Sequence, residues 1–347
     1  MENIGKDRAL SPAKGKDIAP GAAASPRPGG MRVVYGDCTL GLQGHNFRYI
    51  FNYGIKGLES LVKNGREWMY RGPLPTFWRA LTDNDRGNGL HLRSGMWLAA
   101  DQFIRYKGVK VLVDGLELRQ PDPRGNNRFT GQETACEAEV AYTYETITQP
   151  AAAVEVSYRV EAEGRILVKV CYHGREGLPE LPVFGMRFIL PTLARGFTYE
   201  GLSGETYPDR MAGGIPGVYE VEGLPVTPYL VPQDCGVHMD SKWVRVRPGR
   251  SSSNVTKGPL ALPAAGEEDC LEIRMAQAPF AFSCLPYTAQ ELENATHQEE
   301  LPLPRRTVLC VLGAVRGLGG RDTWGAQPEP AFRLDAAGEI GYDFYIF

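Results

Sequence analysis

The sequence predicts an all-β protein, on three observations. Its 347 residues include 41 glycines and 26 prolines, a density that suits short strands joined by tight turns and works against long helices. Long stretches alternate apolar and polar residues with the period of two of a half-buried strand. Only two stretches invite a helical reading, and neither alternates with strands as a βαβ unit would.

Residues 1–30 contain four prolines, five glycines and no aromatic residue, so they bury too little surface to offset the entropy of ordering and read as a flexible leader or linker. Strands are expected at 32–40 and 46–53, then at 109–118. The clearest signal follows. In 135–147, Cys136, Ala138, Val140, Tyr142 and Tyr144 alternate with Glu137, Glu139, Thr143 and Glu145. Val154, Val156, Tyr158, Val160 and Ala162 repeat the design, and Gly164 turns the chain into Ile166, Val168, Val170 and Tyr172. These three runs form an antiparallel meander. Further strands are expected at 183–190, 196–202, 217–222, 270–276, 307–315 and 331–346, the last with Ile340, Tyr342, Phe344 and Ile346 on one face. The helical candidates are 95–106 and 288–299, where Thr288 and Glu291 make a capping box.

Charge and cysteine usage narrow the function. With 38 basic and 41 acidic residues the net charge is −3, and no basic cluster stands out, so neither nucleic acid nor an anionic membrane is an expected partner. No apolar run approaches the ~20 residues of a membrane span, and the N-terminus lacks the apolar core of a secretory signal. The seven cysteines are odd in number and widely spaced, with no Cys-x-x-Cys; they read as buried thiols of a cytoplasmic protein, without a disulfide framework or a zinc motif. The glycines at 317, 319 and 320 lack the context of a phosphate-binding loop. No metal or cofactor is expected in this chain.

Three clusters carry polar chemistry. PTFWRALTDNDRGNG (75–89) sets Trp78 and Arg79 beside Asp83 and Asp85. It reads either as a turn rich in Asp and Asn or as a polar loop whose carboxylates accept hydrogen bonds from sugar hydroxyls. GLSGETYPDR (201–210) gathers Glu205, Tyr207, Asp209 and Arg210. An aromatic ring, two carboxylates and a guanidinium suit a carbohydrate cleft, and equally a salt-bridged surface turn. In GLGGRDTWG (317–325), Trp324 stands outside any apolar periodicity beside Arg321 and Asp322. A tryptophan on such a loop faces a partner or ligand more often than a core.

Together with TPY (227–229), PQDCG (232–236), FSCLPYTAQELENATHQEEL (282–301) and the closing aromatic strand, these segments occur in one order. That order resembles the C-terminal domain of large bacterial β-galactosidases, in some bacteria a separate small chain, over residues 31–347. The resemblance implies a galactose-mutarotase-like β-supersandwich of two large antiparallel sheets face to face. It further implies membership of family two of the glycoside hydrolases, where the catalytic glutamates lie on a (β/α)8 barrel. That barrel takes ~250 residues of alternating strand and helix, and this sequence has no such region. The implied role is a non-catalytic chain that completes the galactoside site of a partner barrel, with magnesium and sodium left to that barrel. By the same resemblance Trp324 stacks on bound sugar, with Asp322 and Arg321 as neighbours. Departures are visible: the family's proline before Glu205 is missing, and PQDCG has Asp234 and Cys235 where Glu-Asn is usual.

Two other readings remain on the same fold. A sugar mutarotase or epimerase needs a histidine and a carboxylate converging in a cleft, for which His173 and His238 are the candidates. A carbohydrate-binding module needs neither.

Overall fold

The computed structural model describes residues 30–54, 57–118, 129–249, 269–323 and 325–347. The all-β expectation is met. Every strand pairing is antiparallel, and hydrogen bonds divide the strands into sheets of ten, six and five.

The meander read from period two lies in the ten-stranded sheet as Glu137–Glu145, Ala153–Glu161 and Ile166–His173, followed by the closing strand Ile340–Ile346. Val140, Tyr142, Val154, Val156, Tyr158, Val168, Val170 and Tyr172 all point inward, as alternation demands. Aromatic contacts join this sheet to both smaller ones: Phe51 of the six-stranded sheet meets Tyr158 at 5.6 Å, and Phe188 of the five-stranded sheet meets Phe344 at 6.1 Å. The smaller sheets are linked through consecutive strands, Arg66–Glu67 in one and Arg71–Thr76 in the other. The face-to-face stacking expected of a supersandwich is thus present, with one layer made of two hydrogen-bonded pieces.

The five-stranded sheet positions the site. Its order is His238–Ser241, Phe280–Leu285, Thr307–Val315, Val183–Leu190, Arg71–Thr76. Thr76 pairs with Gly185 and Val183 with Val315, so three chain segments leave one end of the sheet together. They are the stretch after Thr76, the stretch before Val183 and the stretch after Val315.

Several expectations need correction. Residues 95–106 form no α-helix: a 3-10 turn at Gly95–Trp97 is followed by turns, and a strand begins at Arg105. Fully buried Trp97 satisfies its indole by donating to the Pro179 carbonyl, so its apolar neighbours serve packing rather than helical period. The capping box at Thr288 and Glu291 is real, but its helix stops at Asn294. The Asp-Asn-Asp run opens a short helix, Asp83–Gly87, capped reciprocally by Thr82 and Asp85. The last strand begins at Ile340 rather than 331, after a 3-10 turn at Pro330–Phe332. All seven cysteines are free, yet Cys38 and Cys136 are exposed. Each sits at a step between strands, Cys38 before Thr39–Gln43 and Cys136 between Thr134–Ala135 and Glu137–Glu145. Among the described residues no helix is long and apolar enough to cross a membrane.

Candidate functional site

At that end of the five-stranded sheet the structure brings the polar clusters together. The segment after Thr76 contributes Arg79 and Asp85, both buried. Asp85 is held from all sides. One carboxylate oxygen accepts from Arg79, from the Thr82 backbone N–H at 3.0 Å and from the Thr82 hydroxyl at 2.8 Å. The other accepts from Arg79 at 3.1 Å and from Arg316 at 3.3 Å. Arg316, directly after Val315 and fully buried, also donates to Glu180 at 3.0 Å and to the Gly317 carbonyl at 3.2 Å. Asp85 therefore clamps two guanidiniums that come from opposite ends of the sequence.

Tyr207 closes the cluster from above. The Arg79 guanidinium lies 5.2 Å from its ring centroid, and its hydroxyl donates to Asp234 at 2.7 Å. Burial opposes the charge on Asp85, but the Arg79 guanidinium and the hydrogen bonds from Arg79 and Thr82 outweigh it and hold the carboxyl below its ordinary range. Burial raises Asp234 in spite of Arg79, and burial with Asp234 beside it keeps the Tyr207 phenol well above its usual range, a neutral donor. Burial also draws Arg316 below the usual arginine value against the pull of Glu180 and Asp85.

From this base rises the glycine-rich loop. Asp209 accepts the backbone N–H groups of Leu318 and Gly319, both at 2.8 Å, and Arg210 donates to the Gly319 carbonyl. The Gly320 N–H then bonds the Ala326 carbonyl at 2.8 Å and closes the loop. Gly319 and Gly320 have φ of 77° and 74°, a left-handed conformation that side chains resist, and a Cβ on Gly320 would stand 2.9 Å from the Asn84 side chain. Arg321, Asp322, Thr323 and Gly325 are exposed, with Arg321 paired to Glu329. Trp324 lies outside the described residues.

The stretch 282–301 buttresses the first cluster. Glu293 accepts from the Leu81 N–H at 2.8 Å, from the Trp78 indole at 3.4 Å and from Arg86 at 3.3 Å. Gln233 exchanges bonds with Asp83, taking its N–H at 2.9 Å and donating to its carboxylate at 3.3 Å.

The candidate sugar contacts accordingly divide. Trp78, Arg79, Asp85 and Tyr207 are buried, Arg79 engaged by Asp85 and Tyr207 and Trp78 by Glu293. Asp209 is half-buried and spent on the loop backbone. Asp83, Glu205, Arg210, Arg321 and Asp322 reach solvent.

The two histidines lie elsewhere. His238 is 3% exposed, its ring 4.6 Å from Phe282 and 4.4 Å from Tyr199. Its Nδ1 has no hydrogen-bond partner, and its Nε2 is 3.8 Å from Glu205, beyond hydrogen-bond reach. Burial pushes its pKa down to about 4. It is an enclosed core histidine and not the open acid/base group that a mutarotase needs. His173, on the outer side of the ten-stranded sheet, lies 3.2 Å from Glu339 and 3.7 Å from Glu155.

The family model for the β-galactosidase small chain matches residues 43–346. The chain belongs to that family. The β-galactosidase small subunit of Latilactobacillus sakei is 57% identical over 91% of this chain and 97% of its own length. The β-galactosidases of Streptococcus thermophilus and Halalkalibacterium halodurans are each 30% identical, over 91% and 92% of this chain but only 27% and 28% of their own lengths. This small chain thus spans about a quarter of those longer relatives.

Sequence reading missed Arg316, Glu180 and Glu293. No sequence signal marked Arg316, since a charge directly after the apolar run Val308–Val315 reads as an ordinary strand exit.

Proposed function

We propose that this chain is the non-catalytic small chain of a β-galactosidase. Its partner is a large chain carrying the (β/α)8 barrel and its catalytic carboxylates, and the 317–325 loop completes the galactoside site across the interface. The observation that carries the reading is the use of three separate segments, around Asp85, Asp209 and Glu293, to fix the base of one loop whose described tip residues face solvent. Burying such charges costs desolvation energy that only well-formed pairing and hydrogen bonds offset, and we read this cluster as kept for positioning. The match to almost the whole of a small subunit supports the same pairing.

In this reading Trp324 stacks on the sugar, Asp322 and Arg321 flank it, and Asp83, Glu205 and Arg210 lie around the loop base toward the partner. Magnesium and sodium belong with the barrel. A cytoplasmic setting fits seven free thiols.

The test is reconstitution. Mixed with the large chain, this chain supports hydrolysis of a chromogenic β-galactoside, and alone it gives none. Trp324→Ala leaves assembly intact and weakens galactoside binding by about 1–3 kcal/mol, the scale of a lost aromatic contact. Turnover by the isolated chain at the rate of a complete enzyme overturns the first half of the proposal. An unchanged KM in the Trp324→Ala holoenzyme overturns the second and leaves an assembly module.

A further inference from the structure

A second set of reactive side chains lies on the outer side of the ten-stranded sheet, and strand register assembles it. Cys171 and His173 are two residues apart on Ile166–His173, so they share one face. Glu155 pairs directly with Cys171 on one neighbouring strand. On the other side Tyr172 pairs with Ile340, and one more step of that register sets Glu339 opposite His173. Residues from two adjacent strands and Glu339, just ahead of the closing strand, meet on one patch of surface.

The spacing of the three donor atoms fits a metal ion as well as the His173–Glu339 ion pair. His173 Nδ1 is 3.2 Å from Glu339 Oε2 and 3.9 Å from Cys171 Sγ, and one donor atom from each of the three residues lies within 4.8 Å of the others. Tetrahedral zinc, with bonds of roughly 2.0–2.3 Å, holds its ligands about 3–4 Å apart. The far nitrogen, Nε2, lies 3.7 Å from Glu155, an ion-pair distance beyond hydrogen-bond reach.

We propose that Cys171, His173 Nδ1 and Glu339 form a site for a zinc-like divalent transition metal. The mixed sulfur, nitrogen and oxygen set selects zinc or cobalt over magnesium or calcium, which take oxygen alone. Three protein ligands leave a fourth position for water or a small anion. None of its three residues belongs to the 317–325 loop, and the site does not depend on that loop's role. It left no trace in the spacing of cysteines and histidines, because Glu339 comes from 166 residues beyond His173.

The experiment is titration of the reduced full chain with cobalt(II) and with zinc. One equivalent of cobalt binds and gives a thiolate-to-cobalt charge-transfer band, and zinc displaces it. Cys171→Ser loses the band and the stoichiometric binding while circular dichroism stays unchanged, and His173→Ala weakens binding likewise. No stoichiometric binding, or a band that survives in Cys171→Ser because exposed Cys38 or Cys136 supplies the thiolate, overturns the site.

Discussion

His238 and Asp85 are both ionisable and both buried, 3% and 0% exposed, yet the protein treats them in opposite ways. His238 sits among Phe197, Tyr199 and Phe282 with no ion in hydrogen-bond reach, and burial resolves the conflict by keeping it neutral. Asp85 keeps its charge because Arg79, Arg316 and Thr82 supply donors to both its oxygens. The first region gains cohesion from non-directional packing and tolerates many arrangements. The second is directional: its hydrogen bonds hold only when three chain segments occupy one geometry. Charge appears where position matters and is extinguished where only burial does.

The comparison breaks most visibly at Asp85. Asp85→Asn leaves two buried guanidiniums without their shared anion, and we expect a loss of about 3–5 kcal/mol in urea unfolding, the range for removing one partner of a buried pair. Whatever holoenzyme still forms should bind galactoside more weakly. Retained stability and KM would show that the clamp positions nothing.

Next in size is the acid limb set by His238. Its folded pKa of about 4 lies below the unfolded value near 6.5. The unfolded chain therefore binds the proton first, and stability present above pH 6.5 drains away as pH falls toward 4. The full span amounts to on the order of 3 kcal/mol. His238→Phe should flatten that limb of the stability profile between pH 6.5 and 4, and an unaltered slope would mean the ring is already paired.

Smaller again is Gly320→Ala, which forces a side chain into φ of 74° against Asn84. A cost of about 1–3 kcal/mol is expected, together with a raised KM in the reconstituted enzyme. Smallest is Ile273→Val in the ten-stranded sheet, fully buried but surrounded by apolar packing, at about 0.5–1.5 kcal/mol with KM unchanged. If Ile273→Val moved KM as far as Gly320→Ala, the division between cohesion and positioning would fail.

Local pattern made the meander legible, since Glu137–Glu145, Ala153–Glu161 and Ile166–His173 each bury one face and wet the other. It hid Arg71–Thr76, whose Pro73 and Pro75 argue against a strand until one sees that it is an edge of its sheet. It also hid the helix at Asp83–Gly87, because Thr82 is capped by Asp85 and not by the longer Glu or Gln of the usual box. The site segments were legible as an ordered set, but their roles were not. Arg316 and Asp85 are 231 residues apart, and no spacing rule foretells which distant guanidinium will neutralise a given carboxylate. Aromatic and acidic residues that looked suited to a sugar, Tyr207 and Asp85, turn out to spend all their polar capacity on other parts of this chain.

The bond from the Gly320 N–H to the Ala326 carbonyl, with Asp209 gripping the two residues before it, has a thermodynamic meaning for encounter. A loop tied off within its own chain has already given up its conformational entropy at the folding step. A molecule that meets it finds the base already fixed, so association is charged for translation and rotation but not for ordering the backbone of the base. An active site can be divided between two polypeptides at little loss of affinity when the cut leaves each half preorganised.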